Sequence, residues 1–305
     1  MTVWLCPGQG AQKPGMGADL LKSQKVASVF DTLSDALEVD LAALSREGTQ
    51  EQINDTVAAQ GLTMAVSVGV GSLLLDRGIK PGAIVGFSLG QISALVLAGI
   101  LSLDEAARLL KVRSESMAAA CAAQPGGMLA LMGASLDDAR EVCAQAAGSD
   151  VLVCANHNGP SQVVVSGHDS ALERAQKLWA EAGKKSVRLA TSGAFHSPLM
   201  TPAATDVERF CSSLDFKEPQ VTLICNTDAK PFLVDEAAKR LGRHVNDEVM
   251  FEESIRALMA DGETEFVEIG YGCVLTNLVK RIDRSTERHL VGTEAQVHEY
   301  ITNNA

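Results

Sequence analysis

A serine framed by glycines is the first feature of this chain that could do chemistry. Ser88 lies in the turn GFSLG (86–90), directly after the apolar run 83–85 and before a helix-like run, 91–98. A G-x-S-x-G turn between strand and helix lets backbones approach closely and projects the hydroxyl into a cleft. The N–H of Leu89 and the helix N-terminus could stabilise an oxyanion there. The context predicts that Ser88 is a nucleophile; a chance occurrence of the pattern is the alternative.

A serine hydroxyl is scarcely nucleophilic at neutral pH, so Ser88 needs a base. The chain has six histidines: His157, His168, His196, His244, His289 and His298. His196 lies in a short irregular stretch, GAFHSP (193–198), where a side chain can face a cleft between domains. We therefore predict that His196 is the base, and a histidine with a purely structural role is the alternative.

The composition indicates a folded chain with reduced cysteines. The chain has 305 residues, 46% of them hydrophobic, which is enough to fill a large core. Its seven cysteines are scattered and form no C-x-x-C pair. This distribution argues against both a disulfide framework and a zinc site.

Charge and targeting signals restrict the partners and the compartment. A formal net charge of −12 argues against general attraction to nucleic acid, although a local basic patch could still bind an acidic partner. No uninterrupted apolar run reaches the roughly 18 residues that span a bilayer. The N-terminus (MTVWLCPGQG) does not have the pattern of a signal peptide. We expect a cytoplasmic protein that binds neither nucleic acid nor a membrane.

The elements that must position these residues predict an α/β fold. Val3 to Leu5 is apolar, runs into the glycine-rich loop PGQGAQ (7–12) and predicts a buried strand. Ala83 to Val85 predicts a second buried strand, and Thr63 to Leu75 predicts a buried helix. Val221 to Cys225 and Glu265 to Ile269 predict further core strands. Strand, glycine turn and helix in this order are typical of α/β proteins.

Between about residues 126 and 190 the pattern changes to a compact unit. It predicts strands at 128–132, 151–155, 162–166 and 186–189, with helices at 136–147 and 170–182. The order βαββαβ is typical of a ferredoxin-like unit. We predict a body formed by residues 1–125 and 194–305, with residues 126–193 as the insert. A single continuous α/β domain is the alternative.

Taken together and in order, the motifs resemble the malonyl-CoA:acyl carrier protein transacylase family, which includes the acyltransferase domains of fatty acid and polyketide synthesis. The resemblance rests on PGQGAQ (7–12), GFSLGQ (86–91), Arg113 with Met117 one helical turn on, ANHNGP (155–160), AFHSPLM (194–200) and VLTNL (274–278). It implies an α/β-hydrolase-like body with an inserted ferredoxin-like subdomain, in agreement with the pattern of elements.

The resemblance also implies roles for single residues. Ser88 would accept the acyl group and His196 would be the general acid and base. Gln9 and the Leu89 N–H would form the oxyanion hole. Arg113 would hold the free carboxylate of the malonyl group, because a guanidinium offers a planar fork of donors that a lysine does not have.

Further substrate-binding residues follow from the same resemblance. It places Gln60, Met117 and Asn156 at the pocket. A main-chain carbonyl, assigned to His244 by local alignment, would hold the base. Phe195 beside the base is similar to the residue of malonyl-selecting relatives, since its bulk would crowd an α-methyl group.

The chain departs from the family pattern in four places. Phe87 replaces the usual histidine before the nucleophile, and Gln91 replaces an acidic residue. The sequence has Gln60-Gly61 in place of Gln-Pro, and GYG (270–272) in place of Gly-Pro-Gly. No proposed catalytic group is lost, but Phe87 exchanges a hydrogen-bonding neighbour for an apolar one.

The reaction implied is ping-pong transfer of malonyl from malonyl-CoA to the phosphopantetheine thiol of an acyl carrier protein, supplying fatty acid synthesis, without a metal or cofactor. Two basic clusters are candidates for docking the acidic carrier: Lys184, Lys185 and Arg188, and Lys280, Arg281 and Arg284. Three alternatives stay open: the malonyl-transfer subunit of a malonate decarboxylase, a serine hydrolase, and a non-catalytic binding protein.

Overall fold

Short runs of aliphatic and β-branched residues form two β-sheets in the computed structural model, which describes residues 2–304. In chain order the strands are β1 (Thr2–Cys6), β2 (Ala83–Gly86), β3 (Gly127–Met132), β4 (Leu152–Gly159), β5 (Gln162–Gly167), β6 (Ser186–Arg188), β7 (Thr222–Cys225), β8 (Lys230–Pro231), β9 (Val249–Met250), β10 (Glu265–Ile269) and β11 (Glu287–Val291).

Helices cover both sheets. In chain order they are α1 (Gln24–Leu37), α2 (Leu41–Glu47), α3 (Gln50–Asn54), α4 (Thr56–Asp76), α5 (Gly90–Leu97), α6 (Leu103–Ala123), α7 (Leu136–Ala146), α8 (Asp169–Glu181), α9 (Thr201–Cys211), α10 (Ala237–Asn246), α11 (Phe251–Ala260), α12 (Val274–Ile282) and α13 (Glu294–Asn304).

The larger sheet has the strand order β11-β10-β1-β2-β7-β8, and all its pairs are parallel except β7 with β8. Successive side chains of β1 point to opposite faces of the sheet, so Trp4 packs into one hydrophobic core and Leu5 into another. Cys6 is paired with Gly86, so β1 and β2 end side by side. The loops that follow them, which carry Gln9 and Ser88, therefore emerge together at the carboxyl edge of the sheet, where open α/β sheets bind ligands.

The second sheet is the predicted ferredoxin-like unit. Its order is β6-β3-β5-β4-β9. The pairs β3–β6, β3–β5 and β4–β5 are antiparallel. Helices α7 and α8 cover one face and enclose a small core that includes Leu129, Val163 and Trp179. The last strand, β9, comes from the later part of the chain and pairs parallel with β4. This pairing joins the second sheet to the rest of the molecule.

Helix α4 is long and apolar enough to cross a membrane by length and composition, yet 83% of its apolar window is buried inside the protein. It packs against α1, α5 and α6. Small residues allow these close approaches: a Cβ at Gly61 would meet Leu37 at 2.7 Å, and one at Gly71 would meet Leu97 at 2.5 Å. In this structure α4 is a core helix, and its second turn brings Gln60 beneath the site.

The predicted α/β class with a ferredoxin-like insert is confirmed. The division at residues 126 and 193 stays a prediction. Three strands were missed. Strand β11 is half polar (ERHLV) and lies at the edge of its sheet, so it has no buried apolar run to mark it. Strands β8 and β9 have only two residues each.

Candidate active site

The backbone places Ser88 at a sharp corner between β2 and α5. Its φ is 51°, in the left-handed region that residues other than glycine rarely adopt. A Cβ at Gly86 would lie 2.3 Å from the backbone of Gln91, and one at Gly90 would lie 1.9 Å from the Cys6 carbonyl oxygen. Both glycines are therefore required sterically, which explains the spacing of the motif.

His196 contacts Ser88 directly. Its Nε2 lies 2.8 Å from Ser88 Oγ, although 108 positions separate the two residues. The ring is buried, with 3% of the residue exposed. The backbone of His196 has φ 57°, and its N–H donates to the Val245 carbonyl at 3.1 Å. Two residues with strained backbones thus face each other, a feature that clusters at functional sites.

The ring of His196 lies close to the carbonyl of Asp247, with Nδ1 3.1 Å from that oxygen. The His244 carbonyl, which was predicted to hold the base, also acts on the ring and raises the pKa of His196. Helix α10 ends at Asn246, and Asp247 is the first residue beyond it, with an extended backbone. With the proton on Nδ1, the lone pair of Nε2 points at Ser88.

The surroundings keep His196 neutral. Burial and the positive charge of Arg113 lower the pKa of His196 to about 3, against smaller favourable contributions from the carbonyls of Asp247 and His244. A neutral imidazole is the form that can accept a proton.

Arg113 is a buried cation at the same point. It is 3% exposed, and its Nη2 donates to Ser88 Oγ at 3.1 Å. Its Nη1 donates to Gln60 Oε1 at 2.6 Å. Burial lowers the pKa of Arg113 to about 10, which leaves it charged at neutral pH. No carboxylate of residues 2–304 forms an ion pair with it, so a buried positive charge faces the pocket without an anion.

A cavity of about 260 Å³ opens over Ser88. Of the predicted residues, its lining includes Gln9, Ser88, Leu89, Arg113, Met117, Asn156, Phe195 and His196. Gln60 lies behind Arg113 and positions it, and His244 is buried outside the lining.

Sequence reasoning missed four polar residues of the wall: Gln12, Asn158, Gln162 and Thr191. Asn158 follows Asn156 by two positions on β4, and period-two spacing puts both on one face of the strand. That spacing was the available signal.

Leu89 and Gln9, the two predicted oxyanion-hole residues, both line the cavity beside Ser88. Leu89 immediately precedes α5, so its N–H lies at the N-terminal end of that helix. Gln9 follows β1, which pairs with β2. Phe87, one of the departures from the family pattern, lines the pocket and packs edge-on against Phe251 at 5.5 Å between ring centroids.

Glu268 supports the far wall of the pocket. Its Oε2 accepts from the Thr276 N–H at 2.8 Å and from the Thr276 hydroxyl at 2.9 Å. These bonds tie β10 to the first turn of α12, whose Val274, Leu275 and Leu278 line the cavity. Within the described part of the chain, no group of three or more His, Cys, Asp or Glu side chains is arranged to hold a metal ion.

The fold and this arrangement define an acyltransferase. The chain belongs to the acyl transferase domain family, whose model matches residues 3–301.

Within this family, the similar curated proteins include malonyl CoA-acyl carrier protein transacylases. The chain is 38% identical to a malonyl CoA-acyl carrier protein transacylase of Bacillus subtilis over 286 residues, 92% of this chain and 90% of the relative. The corresponding Escherichia coli (strain K12) protein is 36% identical over 92% of both chains.

Solved structures agree with these relatives. A malonyl-CoA:acyl carrier protein transacylase from Xanthomonas oryzae is 37% identical and superposes with a TM-score of 0.95, covering 100% of this chain and 98% of that one. A malonyl-transacylase in complex with its type II polyketide acyl-carrier protein gives 0.94 at 33% identity, with 99% of both chains covered.

Proposed function

We propose that this chain transfers a malonyl group from malonyl-CoA to the phosphopantetheine thiol of an acyl carrier protein through a malonyl-Ser88 intermediate. The observation that carries the proposal is the buried guanidinium of Arg113, which has no carboxylate partner among residues 2–304 and lies 3.1 Å from Ser88 Oγ. A buried cation beside the acyl site is costly unless the substrate supplies the anion. Malonyl supplies one, and the names of the relatives agree.

The first half-reaction uses the groups already in contact. Ser88 Oγ attacks the thioester carbonyl while His196 Nε2 takes the hydroxyl proton. The Leu89 N–H and Gln9 stabilise the oxyanion, and Arg113 binds the malonyl carboxylate. The tetrahedral intermediate then collapses to malonyl-Ser88, and His196 returns the proton to the departing CoA thiolate.

The second half-reaction reverses these steps. The pantetheine thiol of the carrier gives its proton to His196 and attacks the malonyl ester. Collapse of the intermediate releases malonyl-carrier, and His196 returns the proton to Ser88 Oγ. The carboxylate is held by Arg113 in both halves, so the malonyl group keeps one orientation.

The cluster Lys280, Arg281 and Arg284 is the better candidate for docking the carrier. Arg281 donates to Gln162, a residue of the pocket wall, at 3.0 Å, and no ion pair within residues 2–304 occupies the cluster. In the other cluster, Lys184 pairs with Asp138 at 3.5 Å and Arg188 pairs with Asp169. Free cations beside the mouth of the pocket fit an acidic carrier.

The pathway and compartment are proposed on the same grounds. Malonyl-carrier is the extender for fatty acid synthesis, and we assign this chain to that supply and to the cytoplasm. We propose no nucleic-acid or membrane partner, since the net charge is −12 and the long apolar helix α4 is buried. The body of residues 1–125 and 194–305 would provide catalysis, and the insert 126–193 one wall of the pocket.

Intact mass spectrometry tests the function. The enzyme is incubated with malonyl-CoA, separated from it, and mixed with holo-carrier protein. We expect the mass of one malonyl group on the enzyme, followed by its loss and the same gain on the carrier. Loss of the label to water at an equal rate without the carrier would contradict transfer and support a hydrolase.

A further inference from the structure

His196, the proposed base, and Arg113, the proposed malonyl-binding cation, both contact Ser88 Oγ and lie close enough to interact electrostatically. Arg113 Nη2 is 3.1 Å and His196 Nε2 is 2.8 Å from Ser88 Oγ. The two nitrogens are therefore at most about 6 Å apart, and both residues are 3% exposed. Charges at this distance interact strongly where water is excluded.

The charged and titratable groups that face His196 do not favour its protonation. From α6 comes the Arg113 guanidinium. From α10 comes His244, itself buried, with its pKa held well below the usual range by burial and then by Arg113. From the segment after α10, Asp247 offers only its carbonyl oxygen, because its carboxylate is bound to Arg243 Nε at 2.6 Å. Ser88 is neutral.

Proton transfer to His196 therefore works against a positive charge in the empty enzyme. The transition state of acyl transfer requires an imidazolium, and Arg113 raises its free energy. Burial and the same charge explain the low pKa of His196.

We propose that the malonyl carboxylate, by pairing with Arg113, cancels the charge that opposes protonation of His196, so that the substrate itself switches on the base. This inference rests on the proposed function. Selectivity for malonyl then arises partly in the chemical step, in addition to binding. Acyl groups without a carboxylate leave Arg113 uncompensated and the base weak.

The same linkage acts on the intermediate. In malonyl-Ser88 the carboxylate remains beside Arg113, so His196 stays able to take the proton of the carrier thiol. An acetyl-enzyme has no such carboxylate and would transfer its acyl group slowly. After release of malonyl-carrier, the base returns to its weak state.

The sign of the pH dependence follows. The active form of His196 is neutral and is lost as the pH falls through its pKa. Pairing of Arg113 with malonyl raises that pKa. The fall in rate on the acidic side of the pH profile, the acid limb, must therefore lie at higher pH with malonyl than with acetyl bound. An opposite charge at this range moves a pKa by about one pH unit or more.

Rapid-quench measurement of single-turnover loading tests this on the unaltered enzyme, at saturating malonyl-CoA or acetyl-CoA over a range of acidic pH. We expect the malonyl rate to fall in a range where the acetyl rate is flat, a displacement of about one pH unit or more. The acid limb of kcat/KM for acetyl-CoA, a substrate without a titrating carboxylate, should report His196 in the free enzyme and lie at the same low pH as its limb at saturation. Coincident limbs at saturation would overturn the inference.

Two variants separate charge from shape. Arg113→Lys keeps a positive charge, and the acid limb for acetyl should stay as low as in the wild type. Arg113→Gln removes the charge, and its acetyl limb should rise by about one pH unit or more. An unchanged limb in a folded Arg113→Gln enzyme would overturn the linkage. Failure of the wild type to load malonyl at all would instead overturn the proposed function, and the inference with it.

Discussion

Single residues in this site depend on backbone geometry as much as on side-chain chemistry. Ser88 and His196 both have φ above 50° in the left-handed region, at 51° and 57°. Conformations of this kind cost about 1–3 kcal/mol each and persist where surrounding structure fixes them. Here the fixing contacts are the close approach of Gly90 to Cys6 and the hydrogen bond from the His196 N–H to Val245. The reacting atoms are thereby held 2.8 Å apart before substrate arrives.

Ser88→Ala should abolish malonyl loading, because Ser88 carries the one hydroxyl among residues 2–304 that is hydrogen-bonded to the His196 ring. Ser93→Ala is the matched control. Ser93 lies five positions on in α5, fully buried and without a hydrogen-bond partner for its hydroxyl among residues 2–304. Intact mass after malonyl-CoA treatment should give no label on the first variant and full label on the second. Undiminished labelling of Ser88→Ala would reassign the nucleophile.

His196→Ala should slow transfer by roughly 10²-fold or more, the usual scale for a lost general base, while the fold is kept. The control is His298→Ala, since His298 is exposed on α13, away from the pocket lining. Steady-state transfer rates and circular dichroism are the measurements. A rate within a few-fold of the wild type would give His196 a structural role only.

The site residues that could be predicted from the sequence are those that lie in short sequence motifs. Ser88, His196 and Arg113 each lie in a short motif. The carbonyl of Asp247 carries no side-chain signature, and its place depends on where α10 ends, so only the His244 carbonyl was predicted beside the base. Gln60 was expected in the pocket but lies one layer behind it, because Arg113 occupies the space in front.

At the scale of elements, the junction of β1, β2 and α5 carries Ser88, the proposed nucleophile. Gly90→Ala should destabilise the protein strongly, by about 3 kcal/mol or more, because its Cβ would lie 1.9 Å from the Cys6 carbonyl oxygen. The nearest atom that a Cβ would meet at Gly159 is a flexible Ile282 carbon at 3.6 Å. Gly159→Ala should therefore cost about 1 kcal/mol or less. Urea denaturation measures both, and equal losses would show that the junction tolerates a side chain.

The elements were predictable where apolar runs are bounded by glycine or polar turns. The ferredoxin-like unit was found because its strands and helices alternate regularly, and its sheet order β6-β3-β5-β4 follows from that pattern. The addition of β9 was not predictable. Two residues carry too little periodicity, and the pairing joins positions far apart in sequence.

At the scale of the whole molecule, a histidine links the second sheet to helix α11 of the body. His157 on β4 places Nε2 2.9 Å from Glu252 and Nδ1 2.6 Å from Glu253, both on α11. Burial lowers the pKa of His157, but the carboxylates outweigh it and the net pKa is raised, the Glu253 hydrogen bond contributing most. The imidazolium thus holds the insert sheet against a body helix, beside Asn156 and Asn158 of the pocket wall.

The sign of the pH effect follows from the raised pKa. A histidine whose folded pKa exceeds its unfolded value contributes stability that is full below the unfolded pKa and is lost as the pH rises through the folded one. His157→Gln should therefore destabilise the protein clearly at pH 5.5 and much less at pH 9. Thermal unfolding of both proteins across that range checks it. A difference that is constant with pH would mean that His157 contributes by packing alone.

The central claim is that Arg113 makes this enzyme selective for malonyl, and the most direct measurement is the ratio of kcat/KM for malonyl-CoA and acetyl-CoA in the wild type and in Arg113→Ala. Without Arg113, the malonyl carboxylate enters the buried site unpaired, a penalty of several kcal/mol that acetyl does not suffer. We predict a strong loss with malonyl-CoA and equal or better use of acetyl-CoA. Equal proportional losses for the two substrates would contradict the account, because Arg113 would then support the fold or the CoA portion alone.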